Sequence, residues 1–449
     1  MRIIRFENTE VLETIDTVMA KLKEFIIHNP APHPVNRKGK GEEPFFLNPL
    51  HNRIYSWDEF LAELNAAKTF KPFCYERDYF RIFQSILLSL IHDTPLTLLD
   101  YDFSPGELQG LSITPQQLQE EIPLNPFPLA GVRDLLDKVQ SVRSWRLILY
   151  TSGTTGLPKK VEHTWSTLTK AVRISEDRQN DVWGLAYNPT HIAGLQVFFQ
   201  ALLNQNTLVN LFQLSRDIIF EYIDRYAITH ISATPTFFRL LLPVTRSFHS
   251  VTRITSGGEK FDPILAVQLE RMFPKAKILN VYASTEAGTL FAARGDVFTI
   301  KPETSAYVSI RDNELLIHKD WLAHSVFELE GDWYHSGDLV EVLSHDPLTF
   351  RFISRRNEMI NVGGYKVNPL EVEAIINGHE KVQNCHVYGK AHALIGNILI
   401  CDVQPVDARI TEQELRRYLQ DKLQDYKIPR LFNFVDKLPT TRSGKLKRE

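Results

Sequence analysis

From about residue 145 onward, short apolar runs alternate with helix-like stretches, and no other feature of the chain constrains its fold as much. Residues 145–150, Trp-Arg-Leu-Ile-Leu-Tyr, form a β-like run that stops at a Thr/Ser/Gly cluster. Residues 182–187, 208–211, 228–231, 254 and 278–282 continue as short strands, and residues 164–176, 235–242 and 263–272 read as helices between them. Such alternation predicts a largely parallel sheet with helices on its faces. Sites in such sheets gather in the loops after strand C-termini. After residue 350 the texture changes. Arg355-Arg356-Asn357-Glu358 is a polar break, followed by a helix at 369–376, strands near 385–388 and 398–403, and a helix at 411–423. The expected architecture is α/β. A large N-terminal domain, residues 1–354, carries mixed, mostly parallel sheets and flanking helices, its part to about residue 140 being shortened and divergent. A hinge at 355–357 joins it to a small mobile α+β C-terminal domain, residues 358–449.

Composition narrows the function classes. At 449 residues the chain exceeds one ordinary core. Lys+Arg 51 against Asp+Glu 54 leaves a net charge of −3, so nothing electrostatic argues for nucleic acid or an anionic membrane as partner. Cys74, Cys385 and Cys401 form no CxxC pair and no zinc set, and read as idle thiols. The N-terminus lacks the apolar stretch of a signal peptide. The most apolar helical stretch, 82–91, is too short to span a bilayer, so a cytoplasmic protein is expected. Residues 29–44, rich in Pro, Lys and Gly, read as a loop.

The chemistry-bearing segments lie in the predicted post-strand loops. Thr151-Ser152-Gly153-Thr154-Thr155-Gly156-Leu157-Pro158-Lys159 offers backbone N–H groups, hydroxyls and an ammonium to an anion. It lacks the GxxxxGK[ST] spacing of a Walker A loop. Further along stand Ser256-Gly257-Gly258-Glu259, Tyr282-Ala283-Ser284-Thr285-Glu286, and Trp333 to Asp338 with Arg355. The C-terminal part adds Gly363-Gly364-Tyr365-Lys366 and a terminal run, Leu438 to Lys445. Taken singly these are a Gly turn, a solvated acid, a common Gly-Asp turn, a β-turn before a Pro-started helix and a basic tail.

In this order they resemble the adenylate-forming superfamily of acyl-CoA synthetases, peptide-synthetase adenylation domains and luciferases. The resemblance spans residues 150–445. It implies a phosphate-binding loop at 151–159, with Gly257, Gly258 and Glu259 along adenine and Tyr282 stacked on it. It further implies Thr285 on the α-phosphate, Glu286 on Mg²⁺, Asp338 and Arg355 at the ribose, Gly363 and Gly364 facing an incoming thiol, and Lys445 as the catalytic lysine. Four departures stand out: the poorly matching region before the loop, Lys160 and Ala283 where Gly is usual, and Asn357 at the hinge. Asn188-Pro189-Thr190-His191-Ile192-Ala193-Gly194 resembles the family segment found in acyl- and aryl-acid enzymes. It carries no Asp to hold an α-amine, so an acid without one is expected. His191 either borders the guest carboxylate or is a hydrogen-bonded core histidine. Phe198, Phe199, Phe237 and Phe238 read as core rather than as an acyl pocket. The implied reaction converts a small-molecule carboxylic acid and ATP to acyl-AMP, with Mg²⁺, and then transfers the acyl group to coenzyme A. The alternative acceptor is the phosphopantetheine of an acyl carrier protein; an inactive nucleotide-binding module is the reading from another class.

Overall fold

The structure is a computed structural model, and it describes residues 44–48, 53–151, 159–261, 263–324, 327–362, 365–392, 396–407, 409–442 and 444–448. Its centre is an eight-stranded sheet in the order Gly288–Ala293, Lys277–Ser284, Arg253–Gly257, His230–Ala233, Val182–Leu185, Thr207–Asn210, Pro44–Asn48, Arg53–Ser56. The six inner strands run parallel, and each edge strand is antiparallel to its neighbour. Apolar side chains fill both faces, as a helix-covered parallel sheet requires. The covering helix Tyr79–Ile91 is buried almost all round, which fits its Phe-Ile-Leu composition. Phe198, Phe199 and Phe238 are 0 % exposed and Phe237 7 %, so these rings are core as expected.

A four-stranded sheet orders Phe73–Cys74, Leu96–Leu98, Arg146–Thr151 and Lys159–Thr164, and its last two strands make a hairpin that pairs Thr151 with Lys159. A third sheet of six strands, 297–355, is antiparallel throughout, so the sheets of the large domain are mixed, as expected. In it Asp338 lies directly opposite Arg355. The C-terminal sheet combines Ile360–Val362, Tyr365–Val367, Val382–His392, Gly396–Pro405 and Leu431–Phe434 with helices Pro369–Ile376 and Glu412–Gln420. Between the third sheet and this one, Arg356–Glu358 form a single 3-10 turn, at the polar break.

Helices that open on proline begin where the sequence places them, at Pro235, Pro263 and Pro369, because a fixed φ and a missing N–H suit the first helical turn. The helix expected over 164–176 instead ends at Thr169. Side chains of the neighbouring helix capture the chain beyond it: Gln200 and Asn204 bond the backbone of Arg173, and Asn204 accepts from the Ser175 N–H. The expected loop at 29–44 lies outside the described residues except for Pro44, which opens a strand.

His163, 1 % exposed on the hairpin, has its Nδ1 3.2 Å from the Thr167 hydroxyl. Burial pushes its pKa down to about 4, against an opposing contribution from the Thr285 backbone. The unfolded chain takes that proton near pH 6.5 and the folded one resists it until about 4. Stability is therefore full above the upper value and lost as pH falls through this window, with a slope of at most about 1.4 kcal/mol per pH unit from this group. Urea midpoints from pH 7 to 4 should show the decline, and His163→Gln should flatten part of it; an identical profile in the variant contradicts the assignment.

Candidate active site

The C-terminal ends of the parallel strands share one edge, and the last residues of the chain cross it. Asn188 follows Val182–Leu185, Phe212 follows Thr207–Asn210, Thr234 follows His230–Ala233, and Gly258 and Glu259 follow Arg253–Gly257. Each touches the terminal segment. The Asn188 carboxamide lies 3.4 Å from the Arg442 carbonyl, and the Thr234 hydroxyl donates to the Gly444 carbonyl at 3.0 Å. A Cβ on Gly444 would meet the Phe212 ring at 3.0 Å, and one on Gly258 would meet Cε of Lys445 at 2.9 Å. Gly444 and Gly258 also have φ of +76° and +84°, so glycine answers both backbone and space.

Glu259 holds this seam together. Its carboxylate accepts from the Thr236 N–H at 2.9 Å, the Thr236 hydroxyl at 3.0 Å and the Leu446 N–H at 2.7 Å. Thr441 tightens the terminal turn by bonding the Lys445 N–H at 3.2 Å through its hydroxyl. Beyond the turn, Arg448 grips Glu373 of the small domain at 2.9 and 2.8 Å. Burial lowers the Lys445 pKa, helped by nearby Arg355, while Glu259, Glu286 and Asp338 favour its charge.

Across the site, Tyr282 donates to Asp338 at 2.5 Å and Arg355 Nε lies 3.1 Å from the other Asp338 oxygen. The Tyr282 ring stacks on Phe352 with centroids 4.3 Å apart at 18°. Burial, then the Asp338 charge, raises the Tyr282 pKa; Asp338 raises that of Arg355. Thr285 and Glu286 occupy the turn after Lys277–Ser284, where the Ser284 hydroxyl accepts from the Ala287 N–H at 3.2 Å and the Glu286 carbonyl from the Ala323 N–H at 2.7 Å. Among the described residues no three His, Cys, Asp or Glu side chains form a metal cluster. One carboxylate still fits Mg²⁺, which commonly takes one or two protein acids and completes its shell with phosphates and water.

Lys445, Gly257, Gly258, Glu259, Tyr282, Thr285, Glu286, Asp338 and Arg355 thus face one edge. Thr151 and Lys159 are the paired ends of the hydroxyl-rich hairpin, while Ser152, Gly153, Thr154, Thr155 and Gly156, like Gly363 and Gly364, lie outside the described residues. His191 occupies the N-cap position of the helix Ile192–Leu203, without a side-chain cap bond, and brings its Nε2 to 3.1 Å from Asp100.

Two groups escaped sequence reading. Asp100 sits just past the short strand Leu96–Leu98, with no motif around it. Arg442 lies within the terminal motif, but its partners are more than three hundred residues away in sequence: Asp102 at 2.6 Å and Glu107 at 2.9 Å, with the Phe103 ring 4.7 Å below the guanidinium. The hydrogen bonds from Arg442 hold the Glu107 carboxyl down at about 2.

Comparison with known proteins fits this geometry. A family model described as AMP-binding enzyme matches residues 108–321, and one described as AMP-binding enzyme C-terminal domain matches 371–445. The chain belongs to the AMP-binding enzyme family. The match begins at residue 108, upstream of the first motif at 151, so the region that looked divergent is partly recognisable. This AMP-binding enzyme is 26 % identical to the 2-succinylbenzoate–CoA ligase of Bacillus licheniformis over 336 residues, 67 % of this chain and 68 % of that one. It is 27 % identical to the Bacillus subtilis ligase of the same name, over 67 % of each chain. Its fold matches that of the o-succinylbenzoate CoA synthetase from Bacillus subtilis solved with its acyl-adenylate, with a TM-score of 0.66 at 20 % identity, over 95 % of this chain and 96 % of the other.

The Arg442 fork holds the terminal turn against the large domain, so it sets where Lys445 lies. Arg442→Ala should lower acid-dependent ATP–pyrophosphate exchange about tenfold, with Arg442→Lys intermediate because it keeps charge but loses the fork. An unchanged exchange rate in Arg442→Ala would show that the contact positions nothing.

Proposed function

We propose that this enzyme activates a carboxylic acid lacking an α-amino group, in the class of aryl acids, as an acyl-adenylate and passes the acyl group to coenzyme A. One observation carries the reading: the terminal turn places Lys445 against Gly258, across the edge where Asp338 and Arg355 pair. A single ammonium in a water-poor site opposite a sugar-binding carboxylate suits phosphoryl chemistry, where charge develops around phosphorus.

In the first step a carboxylate oxygen of the guest attacks the α-phosphorus and pyrophosphate leaves. Lys445 and the Thr285 hydroxyl stabilise the charge on the α-phosphate oxygens. Glu286 would hold Mg²⁺, which would neutralise charge on the phosphates. Asp338 accepts from the ribose hydroxyls, with Arg355 fixing it, and adenine lies along Gly257–Gly258 and takes the face of Tyr282 away from Phe352. In the second step a thiolate attacks the acyl carbon and AMP leaves. Residues 1–354 and 358–449 act as the two moving units, turning about the hinge 355–357 so that Lys445 withdraws and Gly363–Gly364 close over the thiol. His191 borders the guest carboxylate. Asp100, the buried acid beside it, is engaged by that ring and two further donors, which leaves it unsuited to hold an α-ammonium. The relatives named as CoA ligases support coenzyme A as acceptor. Among the described residues no helix is long and apolar enough to cross a membrane.

Acid-dependent ATP–pyrophosphate exchange over a panel of aryl, fatty and amino acids tests the reading, followed by coenzyme A or a carrier protein with the positives. Exchange with an aryl acid and thioester formation with coenzyme A are expected; exchange only with amino acids, or acylation only of a carrier protein, contradicts it. Lys445→Ala should lower adenylation roughly 10²-fold while sparing thioester formation from preformed acyl-adenylate. Equal loss of both half-reactions would remove Lys445 from its role.

A further inference from the structure

Four acidic residues are less than 8 % exposed among the described residues: Asp100, Glu314, Asp338 and Glu373. Three of them hold an arginine, through the pairs Glu314–Arg356, Asp338–Arg355 and Glu373–Arg448. Asp100 differs. Its ion partner is the imidazole of His191, with Nε2 3.1 Å from Oδ2. Its other oxygen accepts from the Thr190 hydroxyl and, at 3.0 Å, from the Asn188 carboxamide. A buried carboxylate is costly unless compensated, and here the compensating neighbour is an imidazole rather than a guanidinium.

The ring is the accessible member of the pair: the His191 side chain is 20 % exposed and that of Asp100 6 %. A guest that reaches this turn therefore meets imidazole, and Asp100 acts only through it. The turn is rigid. Asn188 Oδ1 accepts from the Thr190 N–H at 3.0 Å, and a Cβ on Gly194 would come within 2.3 Å of the Asn188 carbonyl oxygen. It also adjoins the reactive end of the chain, through the contact of Asn188 with the carbonyl of Arg442, three residues before Lys445.

We propose that Asp100 is a positioning residue for the acid substrate, its charge 3.1 Å from Nε2 holding the His191 ring with Nε2 toward Asp100 and Nδ1 toward the guest carboxylate. This rests on the adenylation reading above and deepens it. With Nε2 turned toward Asp100, Nδ1 is the ring nitrogen left for the guest carboxylate. The burial of Asp100 keeps that negative charge away from the guest. The result is selective attraction for a carboxylate beside the attacked phosphorus, with no direct contact to ATP.

Asp100→Asn tests the idea because it keeps shape and an acceptor for Thr190 while turning an N–H toward Nε2, which imposes the opposite ring tautomer. The expected result in pyrophosphate exchange is a KM for the acid raised about tenfold or more with the KM for ATP unmoved. In a His191→Gln background the same change should cost nothing further, since it acts through the ring. Equal rises in both KM values, or additive losses in the double variant, would overturn the assignment. If Asp100→Asn does not fold, ¹⁵N-histidine NMR of the wild-type enzyme decides: the Nε2–H tautomer or a doubly protonated ring at His191 supports it, and an Nδ1–H tautomer overturns it. Absence of acid-dependent exchange in the wild-type enzyme would defeat the adenylation reading and this assignment together, whereas exchange with unmoved acid KM in Asp100→Asn defeats the assignment alone.

Discussion

A single carboxylate joins the beginning of the active edge to the end of the chain. Glu259 accepts from the N–H and hydroxyl of Thr236, at the start of a large-domain helix, and from the N–H of Leu446, one residue past the lysine. Charge-assisted bonds to a partly buried carboxylate are among the stronger ones, and three on one group restrict its geometry closely. Every other tail contact agrees with that placement. Thr234 takes the Gly444 carbonyl, Gly258 leaves space for the lysine stem, and Arg442 clamps the preceding turn onto Asp102 and Glu107. The lysine is located by the backbone on either side of it, so its own ammonium remains available for chemistry.

The electrostatics follow the same economy. Burial lowers the Lys445 pKa, with Arg355 adding to the effect, while Glu259, Glu286 and Asp338 oppose it. Asp338 is tied by Tyr282 on one oxygen and Arg355 on the other, so a diol arriving there finds an acceptor already oriented. Preorganisation of this kind lets fixed dipoles and charges act without reorganising during the reaction. The cost of assembling these charges is met by folding, through hydrophobic sheets that fix where each strand ends.

Much of this was legible in the chain. The central strands showed as apolar runs between turn residues, and helices starting at Pro235, Pro263 and Pro369 showed their first residue because proline is locally decisive. The motifs that carry Lys445, Glu286 and Asp338 are weak singly and were legible because, in order, they resemble one family. What stayed hidden depends on distance. Arg442 meets Asp102 and Glu107 only in the folded chain, more than three hundred residues away in sequence, and neither acid has a local signature. Asp100 follows a three-residue strand in a region without motifs. The helix over 164–176 was overestimated because local propensity could not reveal that Gln200 and Asn204 would take the backbone of Arg173.

The measurement that bears most directly on this account is a crystal structure of the enzyme with AMP. The account expects the ribose hydroxyls within hydrogen-bond distance of Asp338 and the α-phosphate between the Thr285 turn and the Lys445 ammonium, with adenine along Gly257–Gly258. Nucleotide bound away from the strand ends, with Lys445 and Asp338 touching none of it, would contradict it.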